Sequence, residues 1–157
     1  MLTQYLLVFL ISMIPLIELR GALPIALGMG LPAIPAYITC IIGNMLPVPI
    51  IYFFARKVLI WGADKKVIGK FFTFFLEKGE KAGKKLVSAT GRGGLFIALM
   101  LFVGIPLPGT GAWTGALGAS FLNMGFKSTV LSVSLGVIMA GIIMGAGSHT
   151  ALHIFSF

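Results

Sequence analysis

Glu18 and Arg20 stand two residues apart inside an apolar stretch running from Leu2 to Phe54, followed at once by Gly21 and Pro24. An ionisable side chain at membrane depth costs roughly 2.5–3.5 kcal/mol, so it normally faces a cavity or a partner, and such positions are where proton and ion chemistry is done. Burial favours a protonated carboxyl, whereas a neighbouring guanidinium favours the carboxylate. Proton coupling needs a carboxyl held between those two influences, which makes Glu18 the expected proton carrier. Arg20 is expected as its partner or as a contact for an anionic substrate group, because a planar guanidinium suits bidentate binding of phosphate or carboxylate. The competing reading puts both charges at a headgroup interface, where they only end a helix.

Two further stretches are expected to line the same substrate pocket. Asn44 lies in Gly43-Asn44-Met45-Leu46-Pro47-Val48-Pro49, where each proline removes a backbone donor and frees a carbonyl for a neighbour, water or ligand. As interhelical glue, its other role, Asn44 would contribute about 0.6–2 kcal/mol. The second stretch is Pro106, Leu107, Pro108, Gly109, Thr110, Gly111, Ala112 and Trp113, rich in helix breakers and carrying one hydroxyl and one indole. Helix N-termini at Pro24 and Gly111 would add positive potential, which favours an anionic group over a cation.

Enzyme-like patterns are sparse, and no catalytic role is expected. Gly118-Ala119-Ser120 with His149 or His153 resembles a serine/histidine dyad, but such a dyad is recognised by geometry, not spacing. His149 and His153 sit four apart without a third metal ligand at suitable spacing. The single cysteine, Cys40, excludes an intrachain disulfide and is expected as a small buried hydrophobe. No metal and no cofactor is expected.

The elements that must hold these residues follow from composition. The chain has 157 residues, 58% hydrophobic and 10% charged, with a mean hydropathy of +1.05, which places it among integral membrane proteins. Its net charge of +8 is concentrated: ten basic and three acidic residues lie between Arg56 and Arg92, and outside that block only Glu18, Arg20 and Lys127 are charged. A basic block between two apolar regions reads as a cytoplasmic segment, so no nucleic-acid partner is expected. No cleavable signal peptide is recognisable, and the first helix is expected to remain in the mature protein.

Crossing ~30 Å of hydrocarbon takes about 20 apolar residues. Leu2–Ile17 reaches only about 24 Å as a helix, and Ala22–Leu31 is shorter. They are therefore expected to form a re-entrant hairpin over 1–31 with its tip at Glu18–Pro24, enclosed by protein because irregular backbone is not tolerated against lipid. Residues 32–55 form the first span, with Tyr52 and Trp61 as interfacial anchors. In the linker, 56–93, Val67, Ile68, Phe71, Phe72 and Phe75 fall on one face of an amphipathic helix opposite Lys66, Lys70, Thr73 and Glu77, suited to an interface with anionic headgroups. The linker ends at Gly91-Arg92-Gly93-Gly94. A second hairpin is expected over 94–126, broken at Gly104–Gly111, and a second span over 128–155. The Gly141/Gly145 ridge of that span could pair within one chain or across a homodimer.

At an offset of 90 residues, 18–28 and 108–118 share Gly21/Gly111, Ala22/Ala112, Ala26/Ala116, Leu27/Leu117 and Gly28/Gly118. With one crossing per half, such a repeat is inverted. Inverted repeats whose broken helices meet near the midplane are a recurring design of secondary transporters. The expected architecture is an all-α integral membrane protein, one domain over 1–157, with hairpin plus span in each half.

Glu18-Leu-Arg-Gly-Ala-Leu-Pro24, Gly43-Asn44-x-x-Pro47-Val-Pro49 and Ile105-Pro-Leu-Pro-Gly-Thr-Gly-Ala-Trp-Thr-Gly115 together resemble the small multi-drug export protein family. More remotely the chain is similar to the DedA/VTT membrane proteins. That likeness implies two re-entrant hairpins, an acid on the first, two arginines on the second, and either proton-dependent transport or flipping of lipid phosphates. Glu18 matches the acid, whereas Leu95–Gly115 contains no arginine, so a phosphate contact would fall to Arg20. The resemblance implies a multi-pass plasma (inner) membrane transporter whose partners are membrane lipids, protons and a small-molecule, anionic or lipidic substrate. The reading from a different class is a non-transporting membrane adaptor, in which the basic helix and the glycine ridge serve assembly.

Overall fold

Proline and glycine interrupt an otherwise helix-forming chain, and the breaks divide it into helices of unequal length. The computed structural model describes residues 1–107 and 109–155, without the side chains of residues 75, 76, 78–80, 82, 83, 86, 87, 149 and 151–155. The described residues form α1 (Leu2–Ser12), α2 (Glu18–Gly28), α3 (Ala33–Met45), α4 (Pro47–Ala63), α5 (Gly69–Gly104), α6 (Ala112–Phe121) and α7 (Phe126–Phe155).

The first break differs from the expectation. It spans 13–17, and α2 begins at Glu18 with Pro24 inside it, so the tip is not Glu18–Pro24 and Pro24 is not a helix N-terminus. Pro15 cannot donate to Ile11, and the freed turn closes locally: the Ile17 and Glu18 amides both donate to the Ile14 carbonyl, at 3.2 and 2.9 Å. Pro24 is tolerated within α2 at the loss of one donor.

α3 and α4 meet at Leu46, whose φ of −61° and ψ of −41° are helical, so Ala33–Ala63 continues as one path of 31 residues. Pro47 and Pro49 fall in the first turn of α4, where missing donors cost little. The first span thus runs past residue 55 to Ala63. With Phe126–Ser148 it is one of two helices among the described residues long and apolar enough to cross a membrane. Ile34, Ile38, Ile42, Leu46 and Ile50 are exposed at every fourth position, so the outward face is as apolar as the inward one, the pattern of a helix bathed in lipid.

α7 runs antiparallel to α3 and α4. Tyr37 donates to the Ile138 carbonyl at 2.6 Å, Ser134 Oγ lies 3.8 Å from Met45 Sδ, and Phe53 packs on Phe126 with ring centroids 4.8 Å apart. Glycine allows the helices within each half to approach closely. A Cβ on Gly43 would stand 2.6 Å from the Phe9 carbonyl oxygen, and one on Gly136 would stand 2.7 Å from that of Met100. The inner helices cross over: α2 packs on α7, and α6 packs on α4.

Val67 and Ile68 precede α5 rather than forming part of its face. α5 then runs through the linker into the second hairpin, bent at Gly91, whose φ of 74° and ψ of 176° suit only glycine. The second break falls at 105–111, within the expected stretch. α2 and α6 end alike. Leu31 and Gly30 amides donate to Ala26 and Leu27 carbonyls, and Met124 and Asn123 amides to Ala119 and Ser120, with Gly30 at φ 76° and Asn123 at φ 56°. These are Schellman caps. Their residues lie 93 apart, three more than the offset of the sequence comparison, so the identities found at 90 are not structurally equivalent positions.

Candidate functional site

The two breaks meet, and the first hairpin's charges serve the second. Glu18 is only 5% exposed at a backbone φ of 50°, a left-handed conformation that costs a non-glycine residue about 1–2 kcal/mol. Its carboxylate reaches the start of α6: Oε2 accepts the Ala112 amide at 3.3 Å and Oε1 the Trp113 amide at 3.2 Å. These are first-turn N–H groups without intrahelical partners, at the positive end of the helix dipole. Gly111 makes room for the contact, because a Cβ there would lie 1.9 Å from Glu18 Oε2. Trp113 Nε1 donates to the Met13 carbonyl at 3.1 Å, tying α6 to the first break.

Arg20, two residues along and half-buried, reaches the other side of the second break. Nη2 donates to the Val103 carbonyl at 2.9 Å, the Ile105 carbonyl at 3.2 Å and Thr110 Oγ1 at 3.0 Å, and Nη1 donates to the Leu107 carbonyl. Thr110 Oγ1 lies 2.9 Å from both the Ile105 and Leu107 carbonyls, to either of which its single proton can go. The acceptors are the C-terminal carbonyls of α5 and the extended loop behind them, the negative end of a helix dipole. A carboxylate thus caps one end of the broken hairpin and a guanidinium the other. Arg20 spends its Nη donors on three carbonyls and the Thr110 hydroxyl.

Of the expected site residues, Glu18, Arg20, Thr110 and Trp113 are joined by these bonds, and Gly111 stands against the Glu18 carboxylate. Pro106 and Gly109 lie in the clamped loop, Gly109 at φ 81°. Pro108 lies outside the described residues. Gly21 seats against Ile17, where a Cβ would stand 2.5 Å from Cγ2, and Pro24 is a turn further along α2; neither joins the network. Asn44 is 2% exposed, and its Oδ1 has no hydrogen-bond partner among the described residues.

Most partners of the two charges are main-chain atoms, which leave no side-chain signature to find. One signal does exist: Ile14-Pro15-Leu16 recurs as Ile105-Pro106-Leu107 and marks both breaks. The second break is two residues longer than the first, and that extra length is the extended loop that Arg20 holds.

Ser120 belongs to a set of bonds at the α6–α7 turn. Its Oγ donates to the Tyr52 carbonyl at 3.1 Å, the Tyr52 hydroxyl donates to the Met124 carbonyl, and Arg56 donates to Asn123 Oδ1. These bonds latch the α6–α7 turn to α4. Tyr52 is buried, so it is not the expected interfacial anchor, whereas Trp61 is exposed. The side chains of His149 and His153 lie outside the described residues. Among the described residues no group of three or more His, Cys, Asp or Glu side chains could hold a metal. Cys40 is buried and free.

An apolar cavity of about 290 Å³ adjoins Trp113 between α4 and α6, lined also by Ile51, Phe54, Val58, Leu117 and Phe121. A second, about 300 Å³, lies between α2, α3 and α7 against Leu23, Tyr37 and Gly141. Neither contains a charged side chain.

Residues 18–143 match the family described as "Putative small multi-drug export protein". No curated protein and no solved structure matches the chain. The matched segment opens on Glu18 and takes in Arg20, the second break, all of Ala33–Ala63 and most of α7, and those two helices have the length and composition of membrane spans. This chain is a membrane protein belonging to the small multi-drug export protein family.

Proposed function

We propose that the chain is a small proton-coupled secondary transporter of the plasma membrane, a multi-pass protein in which two re-entrant hairpins of an inverted repeat meet around Glu18. The observation that carries the proposal is the buried Glu18 carboxylate at the N-terminus of α6. Ionised, it holds two otherwise unpaired amides and the helix dipole. Protonated, it keeps at most neutral bonds, about half as strong, and α6 is released from the first hairpin. A proton therefore biases the junction between the halves, which is the coupling an alternating-access carrier needs.

Several features support the repeat: the shared Ile-Pro-Leu breaks, the matching Schellman caps, Gly43 and Gly136 in the same packing role, the antiparallel long helices and the exchanged packing of α2 and α6. The two apolar cavities suit the body of a small amphipathic or lipidic molecule better than a bare ion. A DedA-like flippase would require Arg20 to exchange its carbonyl partners for a phosphate, and the clamp opposes that. No catalytic step is assigned to any residue.

The test is dissipation of an imposed pH gradient in proteoliposomes, read with an entrapped pH dye while small lipophilic anions and cations are added in turn. The wild type couples proton entry to at least one of them. Glu18→Gln lowers the coupled rate roughly a hundredfold, the scale of removing a positioned proton-transfer group, while Lys127→Gln leaves it unchanged. Wild-type coupling in Glu18→Gln would sink the assignment of Glu18. Gradient decay no faster than in empty liposomes for every probe would favour the adaptor.

A further inference from the structure

The helical path Ala33–Ala63 ends at an elbow that transport as proposed above does not use. Asp64 caps α4, and residues 64–68 turn the chain into α5. The elbow is packed rigidly. A Cβ on Gly62 would stand 2.5 Å from the Phe72 ring, one on Gly69 would stand 2.6 Å from the Ala63 carbonyl oxygen, and the Gly69 amide donates to the Lys65 carbonyl at 2.8 Å. Inside the bend is an open concavity of about 410 Å³ lined by Lys65, Lys66, Lys70, Thr73, Phe74 and Glu77. Apolar side chains at the elbow are exposed: Val67 is 92% exposed, and Trp61, Ile68, Phe71 and Phe74 are exposed as well. The Lys65 ammonium sits 4.5 Å from the Trp61 ring centroid, which holds it at the edge of the concavity.

Three cations around a fixed hollow, ringed by exposed aromatic and aliphatic side chains, lie at the last residue of a helix able to span hydrocarbon. That places the hollow at headgroup depth, with the apolar ring in the acyl region. A soluble anion would need no apolar ring, and a zwitterionic headgroup would bring its own cation into the lysines. We infer that the α4–α5 elbow is a binding site for the phosphate of an anionic membrane lipid, held by Lys65, Lys66 and Lys70 with its acyl chains against Trp61 and Phe71. The inference is independent of the Glu18 reading, and its test involves no transport.

Native mass spectrometry of the detergent-solubilised chain, equilibrated with an equimolar mixture of phosphatidylglycerol and phosphatidylcholine, reads the lipid retained. The wild type keeps one phosphatidylglycerol in preference to phosphatidylcholine. Lys65→Gln/Lys66→Gln/Lys70→Gln lowers that preference roughly a hundredfold, the combined effect expected of three lysines at an anionic surface. Lys81→Gln/Lys84→Gln/Lys85→Gln removes the same charge from exposed positions further along α5 and leaves the preference in place. Because the lysines are exposed, thermal unfolding of both variants is expected to match the wild type. Should the first triple variant unfold early, Lys70→Gln alone, with a partial loss, is decisive. Equal losses in both triple variants, or no preference in the wild type, overturns the site. Displacement of the lipid by millimolar inorganic phosphate overturns the lipid assignment.

Discussion

Glu18 and Arg20 look like an ion pair in the sequence, but each spends its hydrogen bonds on a different end of a helix in the other half of the molecule. Arg20→Lys tests this directly. An ammonium carries three donors on one atom and cannot span the carbonyls of Val103, Ile105 and Leu107 together with Thr110. Hydrogen bonds to charged groups contribute about 1.5–3 kcal/mol each, so the loss of one lowers stability by about 2 kcal/mol, read as earlier thermal unfolding in detergent. If Arg20 served only as a positive charge, Lys would be neutral. Gly111→Ala adds a Cβ 1.9 Å from Glu18 Oε2 and must displace the carboxylate. It is expected to reproduce the coupling defect of Glu18→Gln while leaving the acid itself in place. The acid, the base, Thr110 and Trp113 could all be singled out from their types and neighbours. Their partners could not, because they are amides and carbonyls supplied by whichever backbone happens to be broken nearby.

The helices are held together by close approach rather than by bulk. Gly43→Ala and Gly136→Ala each drive a methyl group against a carbonyl of the neighbouring helix, at Phe9 and Met100, and overpacking of this kind costs about 1–3 kcal/mol. Both should unfold earlier than the wild type, whereas Gly118→Ala, which would meet nothing within 4 Å, should not. Asn44 presents a different balance. A buried acceptor without a partner costs about 1–3 kcal/mol, so Asn44→Leu is expected to raise thermal stability and, if the amide contacts substrate, to reduce coupled flux. Lower stability in Asn44→Leu would show instead that the amide is structural. The second break was legible, since proline and glycine act through local backbone geometry, whereas the first was expected at Glu18–Pro24 and falls at 13–17, because Pro24 is tolerated inside α2. The extent of α4 was not legible, because the helix runs eight residues past Ala55, through Arg56 and Lys57, whose charge suggested a boundary.

At the scale of the molecule, the antiparallel course of α3–α4 and α7 puts the α2–α3 turn at one end and the α6–α7 turn at the other, the latter latched to Tyr52 and Arg56. Single cysteines at Met29, Lys70 and Gly125, introduced after Cys40→Ala, are expected to react with an impermeant thiol reagent from outside at 29 and only from the cytoplasmic side at 70 and 125. Labelling of 29 and 125 from the same face would refute the topology proposed here. The membrane class, the second break and the basic block are properties of local composition, legible without any long-range contact. The register between the halves, the exchange of α2 and α6, and the pairing of each charge with a helix end depend on contacts between residues some ninety positions apart. Those contacts form only when each short broken helix, unable to cover its own ends, finds the opposite half to complete it.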